Sequence, residues 1–242
     1  SNTKKVYLKL PKNQNPELFQ IEVPFSTSLI HIKGTRNKAA QNIQFEGIGF
    51  QHCSWEIPDA GYCGVQACYH DARPQNGWRA VPAAIILEWA ENCSFNNCTF
   101  QNLGTSGLWF STGCKFCEVT NSAFYDISGN GIMMGEGNER MVDGAVWWKM
   151  APEEVAIGNT IQNCTIRNCG AQFYGAVGIW CGFTAQTEIR KNEISDLPYT
   201  GISIGWEWSP VPTPCRENII DGNHIHHILK ILSDGGGIYS LG

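Results

Sequence analysis

The alternation of apolar and polar positions repeats itself along this chain in short units. Phe100-Gln-Asn leads to Gly107-Leu-Trp-Phe, and Phe124-Tyr-Asp to Gly131-Ile-Met-Met. Ile166-Arg-Asn leads to Gly178-Ile-Trp-Cys, Ile194-Ser-Asp to Gly201-Ile-Ser-Ile, and Ile225-His-His to Gly237-Ile-Tyr-Ser. Each unit is a short strand pattern, a turn rich in Asn, Asp and Gly, and a second strand opened by glycine. An irregular period with regular content predicts a β-solenoid.

The register can be counted. Apolar residues five apart recur at Phe45 and Phe50, Phe95 and Phe100, Val119 and Phe124, Ile161 and Ile166, Ile189 and Ile194, and Ile220 and Ile225. Strand side chains alternate faces, so these pairs are expected to point inward and to stack as like residues. A spacing of five needs a bend, expected at polar residues such as Asn96, Lys191 and Asp221, which tolerate left-handed backbone. Asn102, Asp126, Asn168, Asp196 and His227 form a second polar column, read as turn stacking. The glycosylation patterns at Asn92, Asn97 and Asn163 fall in the same repetition and are read as accidental. KVYLKL, FQIEV and LIHIKG are expected to be short strands entering the coil.

On the glycine strand, Leu108, Ile132, Ile179, Ile202 and Ile238 are expected to point in. Trp109, Met133, Trp180, Ser203 and Tyr239 then point out, one above another. Two readings stay open: an aromatic platform for the apolar faces of sugar rings, or a second core beneath a long loop. Surplus sequence between rungs places insertions at Cys53 to Pro82, Glu136 to Gly158 and Trp206 to Arg216, where function is commonly grafted on a rigid solenoid.

Seventeen Lys plus Arg against 22 Asp plus Glu give a net charge of −5 without a basic run, which leaves little to hold a phosphate backbone. No nucleic acid partner is expected, and no stretch is apolar for the ~18 residues that a bilayer requires. Eleven cysteines, an odd number with many inside strands, read as free interior thiols. Cys114-Lys-Phe-Cys117 has half a zinc spacing and lacks a second half. His224 and His226 share a face, but no nearby acid or cysteine completes a site in the sequence, so neither metal nor cofactor is expected.

LIHIKGTRNKAAQNIQFEGIGFQHC, ISDLPYTGISIGWEW and NHIHHILKILSDGGGIYSLG resemble the bacterial right-handed parallel β-helix proteins that include glycoside hydrolase family 141 and, more distantly, family 120. The resemblance covers nearly the whole chain. It implies an all-β fold, one right-handed parallel β-helix domain over residues 1–242 with about seven coils. It also implies a chain that stops short of the coils its family continues, and secretion to the periplasm, cell surface or outside. In that resemblance Asp234, the aspartate of Asp-Gly-Gly-Gly-Ile-Tyr, is a candidate catalytic carboxylate. Glycoside hydrolysis needs two carboxyls; Glu207 is the partner chosen, with Asp196 and Asp143 as alternatives. Trp109, Trp180 and Tyr239 are the expected sugar platform for an oligo- or polysaccharide, with Trp206 and Trp208 as a loop wall. The rivals are a non-catalytic carbohydrate-binding solenoid and a polysaccharide lyase, though no acidic calcium cluster is seen and Arg190 and Lys191 point to opposite faces.

Overall fold

The computed structural model describes residues 10, 12, 14–19, 21–59, 61–70 and 78–241. Its strands stack into three parallel sheets around one interior, a parallel β-helix. Sheet I holds seven strands: Ile30–Lys33, Ala83–Glu88, Ser106–Phe110, Ile132–Gly135, Ile179–Gly182, Ile202–Gly205 and Ile238–Ser240. Sheet II holds six, from Gly49–Ser54 to His224–His226, and sheet III six, from Gln44–Glu46 to Ile219–Asp221. Each coil runs from sheet III through sheet II to sheet I.

The expected register is the observed one. Phe45, Phe95, Val119, Ile161, Ile189 and Ile220 stand in one in-register column on sheet III. Phe50, Phe100, Phe124, Ile166, Ile194 and Ile225 stand in another on sheet II. Like residues pack as like: the rings of Phe100 and Phe124 stack at 4.2 Å and 6°, and those of Phe45 and Phe95 at 4.7 Å and 10°. Such pairs add about 0.5–1.5 kcal/mol beyond their area burial.

The bends follow a single rule. The residue two beyond each sheet III anchor is left-handed: Gly47, Asn97, Asn121, Asn163, Lys191 and Gly222, with φ between 51° and 65°. Lys191 was expected; Asn96 and Asp221 fall one residue early and belong to strands. The second polar column is left-handed throughout, at Asn102, Asp126, Asn168, Asp196 and His227. Asn and Asp bear that conformation at least cost among side-chain-bearing residues. The kink returns a further apolar residue to the interior, so Leu103, Ile127, Cys169 and Leu197 join the core.

From the third sheet I strand onward a glycine precedes the first inward residue, where Leu29 and Ala84 stand in the two earlier strands, and at three of these glycines the cause is steric. A Cβ on Gly131, Gly178 or Gly201 would lie 2.6, 2.8 or 2.6 Å from the carbonyl oxygen of the matching glycine on the next coil. No side chain fits between coils at these three positions.

All eleven cysteines are free, and Cys114 and Cys117 lie within the core with the other strand thiols. Burial pushes the Cys169 and Cys181 thiols well up, so these side chains act as small apolar groups. Among the described residues before Gly34 only Ile30–Lys33 forms a strand; residues 21–29 do not, against expectation for FQIEV, and KVYLKL lies outside the described residues apart from Leu10. Among the described residues no helix is long and apolar enough to cross a membrane.

Candidate active site

The outward column of sheet I is in register as Trp109, Met133, Trp180, Ser203 and Tyr239. It does not form an open platform. Met133 and Trp180 are fully buried, because the insertions fold over this face and make a second core with Tyr69, Trp147, Trp148, Phe183, Tyr199 and Trp206. Of the two readings left open by the sequence, the covered column is the one found in the middle of the sheet. The expected role of Trp180 as a sugar platform is corrected accordingly: its ring lies 5.3 Å from Trp206 and 5.7 Å from Tyr69, nearly edge-on to Trp206 at 87°. It supports the rings that line the cleft.

The insertions are held down by specific bonds. Arg140 bonds Glu136 through Nε and Nη2 at 2.9 and 2.8 Å, and reaches Glu154 at 2.5 Å. Thr112 donates to Glu136 at 2.8 Å, tying this network to the solenoid. The indoles of Trp147 and Trp148 donate to Gly137 O and Asn138 Oδ1. Asn138 in turn donates to Glu207 Oε2 at 3.1 Å, while Ser209 N and Oγ donate to Glu207 Oε1 at 3.0 and 2.8 Å. The Glu207 carboxylate is thus occupied in joining two insertions and does not line the cavity.

The rim they build encloses a cavity of about 610 Å³. Its walls include Tyr69, Trp78, Glu139, Tyr199, Trp206, Trp208, Asp234 and Tyr239. Four residues chosen from the sequence therefore meet here: Asp234, Tyr239, Trp206 and Trp208. Trp208 is exposed, and its ring lies 5.1 Å from Trp206, which is buried all but its cavity edge. A recess of about 240 Å³ adjoins it, shares Tyr69, Trp78 and Glu139, and adds Trp109, Arg79, Glu136 and Arg140. Trp109 is half-buried and its indole donates to Gly135 O at 2.8 Å, so it flanks the recess and not the main cavity.

Asp234 takes left-handed backbone, φ 63°. A relay holds it: Gln66 Nε2 donates to Tyr199 Oη at 2.7 Å, and Tyr199 Oη donates to the Asp234 carbonyl at 2.8 Å. The main chain is pinned, and among the described residues no hydrogen bond or ion pair is made to its carboxylate. Asp196 lies elsewhere, at a sheet II corner, paired with Lys230; that bond, the leading cause, and the charges of Lys230 and His227 hold its carboxyl below the usual range. Asp143 sits in the turn of the hairpin formed by Met141–Val142 and Ala145–Val146, outside the cavity. Arg190 is spent on Glu188 and Asp221 on the outside of sheet III.

Glu139 is the carboxyl that the sequence did not single out. As a residue it is exposed, yet its carboxyl folds back so that a Cβ on Gly137 would collide with both Glu139 Oε2 and Tyr69 Oη. Loss of water around the carboxyl, aided by the charge of Glu136, pushes its pKa up to about 7. Nothing in the local string EGNER marks Glu139 over Glu136, since the difference arises from the fold-back. Only its place in a long insertion gave a signal.

A family model for the right-handed β-helix region matches residues 83–241. This chain belongs to the right-handed β-helix family. A solved glycoside hydrolase resembles this β-helix protein at TM-score 0.83 and 29% identity, over 91% of this chain and 40% of the hydrolase. The chain therefore spans two fifths of that enzyme. A GH136 lacto-N-biosidase from Eubacterium ramulus matches at TM-score 0.48 and 13% identity, over 90% of this chain and 48% of the other. No curated protein matches this β-helix protein by sequence.

Proposed function

We propose that this β-helix protein is part of a glycoside hydrolase acting on an oligo- or polysaccharide, of the kind the resemblance to family 141 implies. The observation that carries the reading is an aromatic-walled cavity bearing two carboxyls in different surroundings, Glu139 short of water and biased toward its protonated form, and Asp234 with no hydrogen bond or ion pair to its carboxylate among the described residues. Carboxyl pairs whose environments push them apart divide into acid and base. Glu139 donates its proton to the glycosidic oxygen as the bond from that oxygen to the anomeric carbon breaks. Asp234 either attacks the anomeric carbon or takes a proton from the water that does, and the first-formed anomer of the product distinguishes these routes.

Trp206, Trp208 and Tyr239 hold the sugar in this scheme, with Trp78 also on the cavity wall. Glu207 positions the loop that carries two of these rings. A polymeric glycan does not cross a membrane, so action on one places the protein outside the cell or at its surface.

The test is hydrolysis of aryl glycosides and polysaccharides by this chain and by the longer protein of which such a chain would form part, each beside Asp234→Asn and Glu139→Gln. Activity lost in both variants supports the reading. Glycan binding without hydrolysis, unchanged by either substitution, replaces it with the non-catalytic carbohydrate-binding solenoid.

A further inference from the structure

On the outer surface of sheet II the coil register assembles a group that the sequence alone left incomplete. Glu193 pairs with His224 and Ser195 with His226 on adjacent parallel strands. Ile194 belongs to the core and Ile225 packs against it, so the residues flanking them face outward together. Glu193, His224 and His226 each offer a ligand atom, and these atoms all lie within 4.8 Å of one another. The acid that His224 and His226 lack in their own strand is supplied by the preceding coil.

We propose that Glu193, His224 and His226 bind a divalent transition ion, Zn²⁺ being the reference case. His226 Nε2 lies 3.5 Å from Glu193 Oε1. Bond lengths of about 2.0–2.2 Å at a tetrahedral zinc put neighbouring ligand atoms roughly 3.3–3.6 Å apart. The two groups already stand at that separation. The imidazoles of His224 and His226 are 4.4 Å apart, and small rotations of exposed side chains close the third side.

The contact with a neighbour admits two tautomers. His226 Nδ1 lies 2.6 Å from His227 Nδ1, so one of the two must donate to the other. With the proton on His226, its Nδ1 donates to His227 and its Nε2 lone pair is left facing the Glu193 carboxylate. In that tautomer a cation between the two electron-rich atoms satisfies both, whereas in the other His226 Nε2–H points at Glu193 and the ion takes the place of that proton. A ligating histidine whose other ring nitrogen donates to a second group is the usual support of a metal site. Nearby cationic side chains are drawn elsewhere: Arg167 lies over the Tyr125 ring and Lys230 pairs with Asp196.

Two imidazoles and one carboxylate select zinc, nickel or copper over calcium or magnesium. Three protein ligands leave coordination positions for water, and the bound ion would clamp the strand Glu193–Ser195 to His224–His226.

The test is titration of the EDTA-stripped 242-residue chain with Zn²⁺ by calorimetry and with Co²⁺ by absorption, with Ca²⁺ as control. The expected result is one Zn²⁺ or Co²⁺ per chain, visible d–d bands without a thiolate charge-transfer band, a raised thermal midpoint and no response to Ca²⁺. Glu193→Gln and His224→Ala should each weaken binding about tenfold or more, and His227→Phe should weaken it less. All three are surface positions, and circular dichroism checks that the fold is kept. Three results would overturn the proposal: no saturable binding, binding that these substitutions leave unchanged, or a thiolate band removed by Cys63→Ser, which assigns the ion to that exposed thiol. None of these bears on hydrolysis.

Discussion

Trp180→Ala separates the covered column from an open platform. Trp180 is among the largest fully buried side chains, and it stands between the solenoid and its insertions, touching Tyr69, Trp109 and Trp206. Truncating a buried aromatic to alanine costs about 3–5 kcal/mol, and the cavity left here is bounded by other rigid rings that collapse poorly. Trp180→Phe is the informative companion. Among the described residues the buried Trp180 Nε1–H has no partner, and an unsatisfied buried donor costs about 1–3 kcal/mol. Removing it offsets much of the lost ring area, so phenylalanine should cost no more than about 1 kcal/mol.

Urea unfolding of the three proteins, followed by circular dichroism, gives the midpoints. Hydrogen exchange at the amides of Tyr69 and Trp206 reports whether the insertions loosen ahead of the coils, because a stacked solenoid can open in parts. An alanine variant that loses less than about 1 kcal/mol while losing glycan binding would refute the buried role and restore Trp180 as a surface platform.

The pH response has a worked sign. If Glu139 must be protonated and Asp234 ionised, activity falls as pH rises through about 7, and Glu139→Gln removes that alkaline limb along with most of the rate; a pH–rate profile that keeps the limb in the variant defeats the assignment. A raised carboxyl pKa also means that the folded state binds the proton more tightly than the unfolded one, so stability falls between the unfolded value near 4.5 and about 7. Thermal midpoints across that window should decline less in Glu139→Gln. Arg140→Met leaves Glu136 and Glu154 without their shared cation and should cost about 1–3 kcal/mol locally, seen as faster proteolysis within residues 136–158. Gly135→Ala puts a side chain at φ 72° and against the Gly182 carbonyl, and should cost at least about 1–3 kcal/mol in thermal unfolding.

Periodicity carried the solenoid. The five-residue interval, the left-handed polar column and the glycine before the later sheet I strands are local demands, repeated because these coils meet the same kind of neighbour. The inward columns of sheets II and III follow from side-chain alternation alone, as does the outward direction of Trp109, Met133, Trp180, Ser203 and Tyr239. Whether that face would be open or covered was not local information. It depended on where the insertions fold, which follows from contacts such as Asn138 with Glu207 and Trp206 with Tyr69 between residues far apart in the chain.

The same division holds at the site. Asp234, Tyr239, Trp206 and Trp208 were legible because motif and strand direction brought them to one side of the solenoid. Glu139 and Glu207 are placed differently for tertiary reasons: one carboxyl is turned back beside Tyr69 and loses water, the other is taken up by Asn138 and Ser209. Likewise, His224 and His226 shared a face by alternation, whereas Glu193 reached them only through the stacking of successive coils. Sequence by itself determined what each coil repeats and which way each side chain points. Tertiary structure decided which of those side chains keep their water, because desolvation and charge pairing depend on neighbours that arrive from other coils and insertions.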